Sequence, residues 1–331
     1  MTPTQPQPTV VWSLKSSPLF RIGELVWYQN GNTWRLGIIS AVTAQQNFDL
    51  VPIGHGMIFR QNVPKTIKDL RPFYAFSVPG VAIPELKEKV FDEVSWEAML
   101  QPVANDPARR DLIALDASKM AASKIDCSFS LWSPQGEDPN AKFTPYFGCF
   151  LGAERVEVGD CLRLKPVTID VKINYEALIM GLRVILVVKG HPGIPHFRGH
   201  LYVLVKGEAT TATPAAEETL PVALRDEIKW RNHVNPAAKW RAILIKENAA
   251  IKDQQIRGRF YPTHRLMPIL NPQALTPDAQ MAQLNSRMDG NRQPIGQKRN
   301  RLDMLGASVA HTARLSFEPL VKESPNNDIQ A

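Results

Sequence analysis

The stretch that most constrains the fold is FGCFLGAERVEVGDCLRLK, residues 147–165. Apolar side chains alternate with polar ones at Val156 and Val158, a Gly-Asp pair follows at residues 159–160, and apolar positions return over residues 161–164. Alternation is the pattern of a half-buried strand, and a Gly-Asp pair favours a turn. The stretch therefore predicts two short strands with a tight reversal between them.

A first β region precedes this stretch. Apolar and aromatic runs at residues 23–29, 33–42 and 48–54 are separated by Asn30-Gly31-Asn32 and by another polar turn. Short strands joined by such turns predict a small β barrel of the Tudor or PWWP type over residues 19–80. The Pro-, Thr- and Gln-rich residues 1–18 are expected to form a disordered tail.

The next region, residues 81–146, changes to a helical pattern. Residues 85–100 and 111–126 have apolar side chains at helical spacing and lack internal proline or glycine, which predicts two helices. A loop that contains Pro134 and Gly136 follows them. We expect this region to be a helical connector, with β structure returning at residue 147.

The second β region spans residues 147–272. Apolar runs at residues 177–188, 197–205, 240–247 and 256–261 predict further strands after the opening stretch. Residues 273–331 are polar and basic, and we expect a largely irregular tail with at most one helix near residues 278–288. The fold class that follows is α+β, mainly β.

Charge is distributed unevenly along the 331 residues, whose net charge is +7. Residues 1–224 hold 22 Lys or Arg against 22 Asp or Glu, whereas residues 225–331 hold 17 against 10. A basic excess at one end favours an acidic partner such as nucleic acid, although it also suits a solvated surface. Three scattered cysteines favour a reducing compartment.

Five cations of the C-terminal region lie in a segment with few acids. They suit contacts to DNA phosphates or a nuclear-import signal, and phosphate contacts raise affinity without reading base sequence. These candidate residues are Arg287, Arg292, Lys298, Arg299 and Arg301.

Aromatic residues of the first β region form a second candidate site. Trp27, Trp34 and Phe48 lie on neighbouring predicted strands, where rings at one rim would form a cage for a methylated lysine. The alternative is an ordinary aromatic core.

Other chemistry has weak support in the sequence. His191, His196 and His200 lie close together, but their spacing matches no common zinc pattern, and the neighbouring prolines predict a loop. Cys149 with His200 has no third residue to orient a catalytic dyad, and no motif for a hydrolase, protease or phosphate-binding loop is present. The expectation is a protein without catalytic residues, metal or cofactor.

Several phrases, taken in order, carry a resemblance to a known family. Residues 23–40 (GELVWYQNGNTWRLGIIS), 69–80 (DLRPFYAFSVPG), 150–164, 224–232 (LRDEIKWRN), 257–272 (RGRFYPTHRLMPILNP) and 295–306 (IGQKRNRLDMLG) together resemble the C-terminal half of fungal transcription-silencing proteins named cryptic loci regulator 2. The opening of residues 147–165 also resembles that of bromo-adjacent-homology domains. The resemblance implies a bromo-adjacent-homology-like barrel over residues 147–272. Family members usually carry a further N-terminal region with a cysteine cluster, which we expect to be missing here.

The resemblance also implies a function. It implies a non-catalytic scaffold or reader subunit of a nuclear, heterochromatin-silencing complex of the SHREC type. The implied partners are a histone deacetylase and a chromatin remodeller, and the implied target is nucleosomes or DNA. The alternative is a freestanding DNA- or RNA-binding protein that uses the basic C-terminal region. An enzyme is the third class, and no small-molecule substrate or membrane is expected.

Overall fold

The computed structural model describes residues 18–43, 47–58, 61–136, 141–166, 175–189, 191–207, 213–271, 285, 288–291 and 305–308. Within them the chain is mainly β, with two antiparallel sheets and four α-helices, which confirms the α+β class. None of the described helices is both long enough and apolar enough to cross a membrane.

Five strands near the N-terminus form the first sheet. The two-residue turn at Gly31 and Asn32 pairs Asn30 with Thr33, as the Asn-Gly pattern predicts, and Gly31 has a φ of 60°. The sheet order is β4-β3-β2-β1-β5. The strands are β1 (Leu25–Asn30), β2 (Thr33–Val42), β3 (Asn47–Pro52), β4 (Val63–Thr66) and β5 (Leu70–Pro72).

The connecting region is less helical than the sequence predicts. The predicted helix over residues 85–100 is wrong except at its end, where α1 (Trp96–Leu100) forms after two short 3₁₀ turns. The second helix is confirmed as α2 (Pro107–Asp126), which begins where the Asp106 carboxylate accepts the Arg109 N–H at 3.0 Å.

The second sheet begins earlier than predicted, at residue 129 rather than 147. The strand β6 (Phe129–Pro134) was assigned to a loop because of its proline, but Pro134 lies at the strand end, where a missing N–H is tolerated. The remaining strands are β7 (Phe143–Leu151), β8 (Glu154–Glu157), β9 (Cys161–Leu164), β10 (Ala177–Val188), β11 (His191–Val205), β12 (Arg241–Lys252) and β13 (Ile256–Arg259).

Pairing in this sheet corrects one expectation about the opening stretch. The strands β8 and β9 both form, and the Asp160 N–H donates to the Glu157 carbonyl to close the turn between them. However, β8 pairs with β7, whereas β9 pairs with β10 and β13. The two strands are therefore not a hairpin, because each is taken by a longer neighbour.

Two further helices cover the second sheet and return the chain to the first. The helix α3 (Val222–Val234) places Leu224 in a core cluster with residues of β10 and β11. The helix α4 (Thr263–Leu270) instead packs Leu266 and Ile269 into the core beneath the first sheet. Met288 and Leu305 are buried in that same core, so parts of the predicted irregular tail are packed.

Candidate partner-binding surfaces and the junction that holds them

The family-like stretch builds a buried ionic junction between the two sheets. Both Asp160 carboxylate oxygens accept hydrogen bonds from the Arg21 guanidinium, at 2.6 and 2.7 Å. Both side chains are about 95% buried. Such a bidentate pair is strong and directional, so it fixes the segment before β1 against the turn after β8.

Glu24 extends the junction. Its Oε1 accepts from Arg259 Nη2 at 2.8 Å and from the Arg155 N–H at 3.1 Å, and its Oε2 accepts from the Arg21 N–H at 2.8 Å. Arg259 ends β13, which lies more than two hundred residues later in the chain. A single buried carboxylate thus joins three distant segments.

A second carboxylate completes the network. The Glu154 Oε1 accepts the Tyr261 hydroxyl at 2.7 Å, and its Oε2 accepts the Arg259 N–H at 3.0 Å. Gly258 lies beside it at a φ of 142°, and a Cβ there would come within 2.6 Å of Glu154 Oε2. The close approach requires glycine at this position.

Electrostatics differ between the two carboxylates nearest the arginines. Burial alone would raise the pKa of Asp160, but the charge and hydrogen bonds of Arg21 outweigh it, so the pKa lies below its ordinary value. For Glu24, burial outweighs the attraction of Arg259 and Arg21 and raises the pKa. The arginines therefore favour the anionic form of Asp160, whereas burial works against the anionic form of Glu24.

An exposed apolar patch lies on the outer face of β7. Phe143 and Phe147 are 42% and 38% exposed, and they project to the same side because they are separated by an even number of residues. Phe147 contacts the edge of Trp132 with ring centroids 5.3 Å apart. Ile194, 40% exposed, precedes Pro195 of β11 at the same end of the sheet. We call Phe143, Phe147 and Ile194 the β7 patch.

The Trp132 ring supports this patch from beneath. It lies directly over Gly148, and Arg155 stacks on it at 4.6 Å. Its Nε1 is buried and has no hydrogen-bond partner among the described residues.

A cleft of ≈ 530 Å³ opens between α2 and residues 78–92. Its shape depends on Asp116 of α2, which is fully buried and accepts the Ala82 and Ile83 N–H groups at 2.7 and 2.8 Å. That carboxylate binds the irregular segment to the helix and keeps the cleft open.

The structure brings Trp27 and Trp34 of the candidate cage near one another and places Phe48 apart from them. Trp27 and Trp34 both contact Phe76, with centroids 5.7 Å away in each case, and Arg71 lies 4.9 Å from the Trp34 ring. Trp27 is buried and donates its Nε1–H to the Phe73 carbonyl. Phe48 pairs with Val42 of β2, and its ring packs on Phe20. At strand spacing, Val42 lies about 26 Å along β2 from Trp34. The methyl-lysine cage remains a prediction.

The candidate DNA-binding residues Arg287, Arg292, Lys298, Arg299 and Arg301 lie outside the described residues. The predicted helix near residues 278–288 also falls mostly outside them.

The histidine segment is a strand rather than the predicted loop, because residues 191–205 pair along β10 as β11. The His200 ring lies within hydrogen-bond distance of Arg183 and of the Asn248 N–H. The described part of the chain contains no cluster of three or more His, Cys, Asp or Glu side chains able to hold a metal ion. Cys149 is fully buried, and burial also raises the pKa of the Cys161 thiol.

Sequence reasoning missed the junction and the cleft. The junction has a weak signal, since Arg21 and Glu24 interrupt an apolar run in LFRIGELVW, and a charge there suggests a buried partner. The cleft has none, because its two walls are brought together by tertiary contacts, those of Asp116 among them.

Comparison with known proteins agrees with the resemblance read from the sequence. Residues 146–262 match the family model of the transcription-silencing protein Clr2. The search of curated proteins found no match. A solved structure, "Structure of Clr2 bound to the Clr1 C-terminus", matches with a TM-score of 0.52 at 13% sequence identity.

That structural match covers 90% of this chain and 60% of the solved chain, so this chain spans less than two thirds of the solved chain's length. At this level of identity the likeness establishes a shared fold, and the family match covers Glu154, Asp160 and Arg259 of the junction but not its N-terminal residues. Residues 146–262 are thus similar to the Clr2 family of transcription-silencing proteins, and the fold of the chain is similar to that of a solved Clr2 protein.

Proposed function

We propose that this chain is a non-catalytic scaffold and reader subunit of a nuclear heterochromatin-silencing complex of the SHREC type. In this role it links a histone deacetylase and a chromatin remodeller to nucleosomes. The observation that carries the proposal is the family match over residues 146–262, in a fold shared with a Clr2 protein solved bound to the Clr1 C-terminus. A silencing subunit without chemistry of its own acts through surfaces that bind partners.

The architecture proposed with this role has five segments. These are a disordered tail (1–18), a Tudor- or PWWP-like barrel (19–80), a helical connector, a bromo-adjacent-homology-like barrel and a basic, largely irregular tail (273–331). The boundary predicted from the sequence between the connector (81–146) and the second barrel (147–272) moves to residue 129, where β6 begins. The two separate antiparallel sheets support a two-module arrangement. The helix α4 follows the second sheet, yet its Leu266 and Ile269 lie in the core of the first sheet, which supports modules that share packing.

The β7 patch is the proposed docking surface for the deacetylase-containing partner. Its two phenylalanines lie on the same face of β7, about 13 Å apart at strand spacing. Phe147 is inside the family-matched region, and Phe143 just precedes it. Exposed aromatic side chains that lie together are typical of the centre of a protein interface.

Copurification from nuclear extract tests this assignment. The tagged chain should recover a histone deacetylase, and the double substitution Phe143→Glu with Phe147→Glu should abolish recovery, because it places charge in an apolar contact. The matched control is Val42→Glu with Met57→Glu, which changes two exposed apolar residues elsewhere and should leave recovery unchanged. Recovery of no deacetylase or remodeller by the parent chain, where another family member recovers them, would reject the scaffold role.

Point substitutions suit this test better than removal of residues 147–272. Such a deletion would leave Arg21 and Glu24 without the buried partners described above. An unpaired buried charge destabilises by about 3–5 kcal/mol. Loss of binding by the deleted chain would therefore reflect unfolding as well as a lost surface.

The reader role is tested at the aromatic site. Trp34→Ala should weaken binding of a methylated-lysine histone peptide, since each ring face near a cation contributes about 0.5–2 kcal/mol. The unmethylated peptide is the control. Equal binding of both peptides by the parent chain would reject the cage, which would leave Trp27, Trp34 and Phe48 as core residues.

The second candidate function is freestanding DNA or RNA binding, favoured by the basic excess of residues 225–331. Replacing Lys298, Arg299 and Arg301 with alanine should flatten the salt dependence of duplex DNA binding by roughly 0.9 log unit per lost phosphate contact. An unchanged slope would show that these residues do not contact DNA. Copurification of nucleic acid alone, without silencing subunits, would favour this function over the scaffold.

A further inference from the structure

The cleft between α2 and residues 78–92 has the construction of a peptide-binding groove. Its floor is apolar and includes Leu86, Phe91 and Met120, which are buried. Val90, 62% exposed, stands at the rim with no apolar cover. A volume of ≈ 530 Å³ lies inside the range of about 300–1,000 Å³ that is typical of ligand sites.

The rim of the cleft is basic. Four lysines and a single acidic residue, Asp92, line it. Glu85, Glu88 and Glu93 belong to the same segment but are not part of the lining. The lysines are Lys87, Lys89, Lys119 and Lys124.

Two of these lysines are committed to the fold. The Lys119 Nζ donates to Asp116 at 2.8 Å and to the Gly80 carbonyl at 3.1 Å, so it helps to hold the cleft open. The Lys124 Nζ donates to Asp92 at 2.7 Å and lies 5.5 Å from the centroid of the Phe91 ring.

The other two are available. Lys87 and Lys89 are exposed and form no ion pair among the described residues. They flank the exposed side of the cleft next to Val90. The apolar floor and the amino groups of Lys87 and Lys89 together favour a ligand that carries apolar side chains between carboxylates.

We propose that this cleft binds an acidic, amphipathic peptide segment of a partner protein. Apolar side chains of the segment enter the cleft over Leu86 and Phe91, and neighbouring Asp or Glu side chains pair with Lys87 and Lys89. The Asp92 side chain is mostly exposed, so its pair with Lys124 exchanges at low cost for a ligand carboxylate. This site is distinct from the β7 patch and does not depend on the proposed silencing role.

Binding of a labelled peptide to the full chain tests the proposal. The probe is the acidic peptide DELDFLED, and the comparison probe has each Asp and Glu replaced by Lys. Measured by fluorescence anisotropy, the acidic peptide should bind and its affinity should fall as salt rises, because the rim lysines are exposed to solvent. The lysine peptide should not bind.

Charge reversal localises the site. Lys87→Glu with Lys89→Glu should weaken binding of DELDFLED at least tenfold. The matched control is Lys246→Glu with Lys252→Glu, which makes the same charge change at exposed positions of β12 and should leave binding within twofold of the parent.

Val90→Asp tests the apolar contribution with a residue that is too exposed to affect folding. It should also weaken binding. Equal affinity of the two charge-reversed chains, or equal binding of acidic and lysine peptides, would overturn the proposal. The oligomeric state of the Lys87→Glu, Lys89→Glu chain should also be measured. If the double substitution changes the molecular mass of the protein in solution but leaves peptide binding unaltered, the cleft is an interface between copies of the chain, and the proposal is overturned.

Discussion

Asp160 is a single residue whose ionisation supports the contact between the two sheets. Its carboxylate is buried, yet Arg21 binds it through two hydrogen bonds and lowers its pKa. The sequence marks it only as half of a Gly-Asp turn, and that role is real, since its Oδ2 also accepts the Glu157 N–H at 2.8 Å. The turn and the ion pair use the same side chain.

Asp160→Asn should therefore lower the free energy of unfolding by about 1–3 kcal/mol, because the buried Arg21 would keep only its longer ion pair with Glu157, at 3.3 Å. Urea unfolding at neutral pH measures the change. Lys229→Ala is the control, since its pair with Glu217 is 59% exposed on each side and should contribute about 0–1 kcal/mol. A similar effect of both substitutions would contradict the ionic junction.

The same substitution has a pH signature. Because the folded-state pKa of Asp160 is lowered, its stabilisation is fully present above the unfolded-state value of about 3.9 and is lost as pH falls through the folded-state pKa. The difference in stability between the parent and Asp160→Asn should thus narrow as pH falls below about 4. A difference that stays constant with pH would show that Asp160 acts by packing alone.

Gly148 permits the close packing of β6 on β7. A Cβ there would lie 2.4 Å from Trp132 Cζ2, and the φ of Gly148 is not in the left-handed region. Gly148→Ala should thus lower the free energy of unfolding by about 1–3 kcal/mol through overpacking. Urea unfolding followed by tryptophan fluorescence measures this change. Gly80→Ala, which adds a methyl group in open space, should change stability by less than about 0.5 kcal/mol.

Among the elements, α2 has a structural role that its length alone does not reveal. The helix was predicted from its apolar spacing over residues 111–126, but that pattern does not reveal that Asp116 organises a segment some thirty residues earlier in the chain. Residues 85–100 illustrate the converse. They have helical spacing, yet they form mainly turns, and these turns place Leu86 and Phe91 in the same core as the apolar side chains of α2. Tertiary packing here overrides local helix propensity.

Asp116→Asn should lower the free energy of unfolding by about 1–3 kcal/mol, because an amide nitrogen would replace one acceptor oxygen and Lys119 would lose its counter-ion. It should also weaken binding of DELDFLED, since the cleft would lose its support. Asp111→Asn, in the same helix but 59% exposed, should change stability by less than about 0.5 kcal/mol. Equal effects of the two substitutions would reject the anchoring role of Asp116.

For the whole molecule, the junction and the shared core predict cooperative unfolding of both sheets. Tyr261→Phe removes the hydroxyl that donates a hydrogen bond to Glu154. The substitution should lower the free energy of unfolding by about 1–3 kcal/mol. Hydrogen exchange should then accelerate in β1 as well as in β9, because Tyr261 also packs in the core of the first sheet. Tyr175→Phe is the control, and accelerated exchange in the second sheet alone would show that the sheets unfold independently.

The sequence by itself determined the class of the fold and most of the strands, and it carried a family resemblance. Alternation and turn residues identified β1, β2, β3 and β10, because these features depend on neighbouring residues and on solvent. The ordered phrases carried the resemblance before any contact was known, and the family match agrees with them over residues 146–262.

Only the tertiary structure decided which strands pair, which charges are buried and where the cleft lies. β8 and β9 follow one another but pair with different strands, and Arg21 meets Asp160 across well over a hundred residues. Lys87 and Lys124 line one cleft because Asp116 holds two segments together. Each of these depends on contacts between residues far apart in sequence, and local pattern carries no information about which distant group will desolvate or neutralise a given side chain.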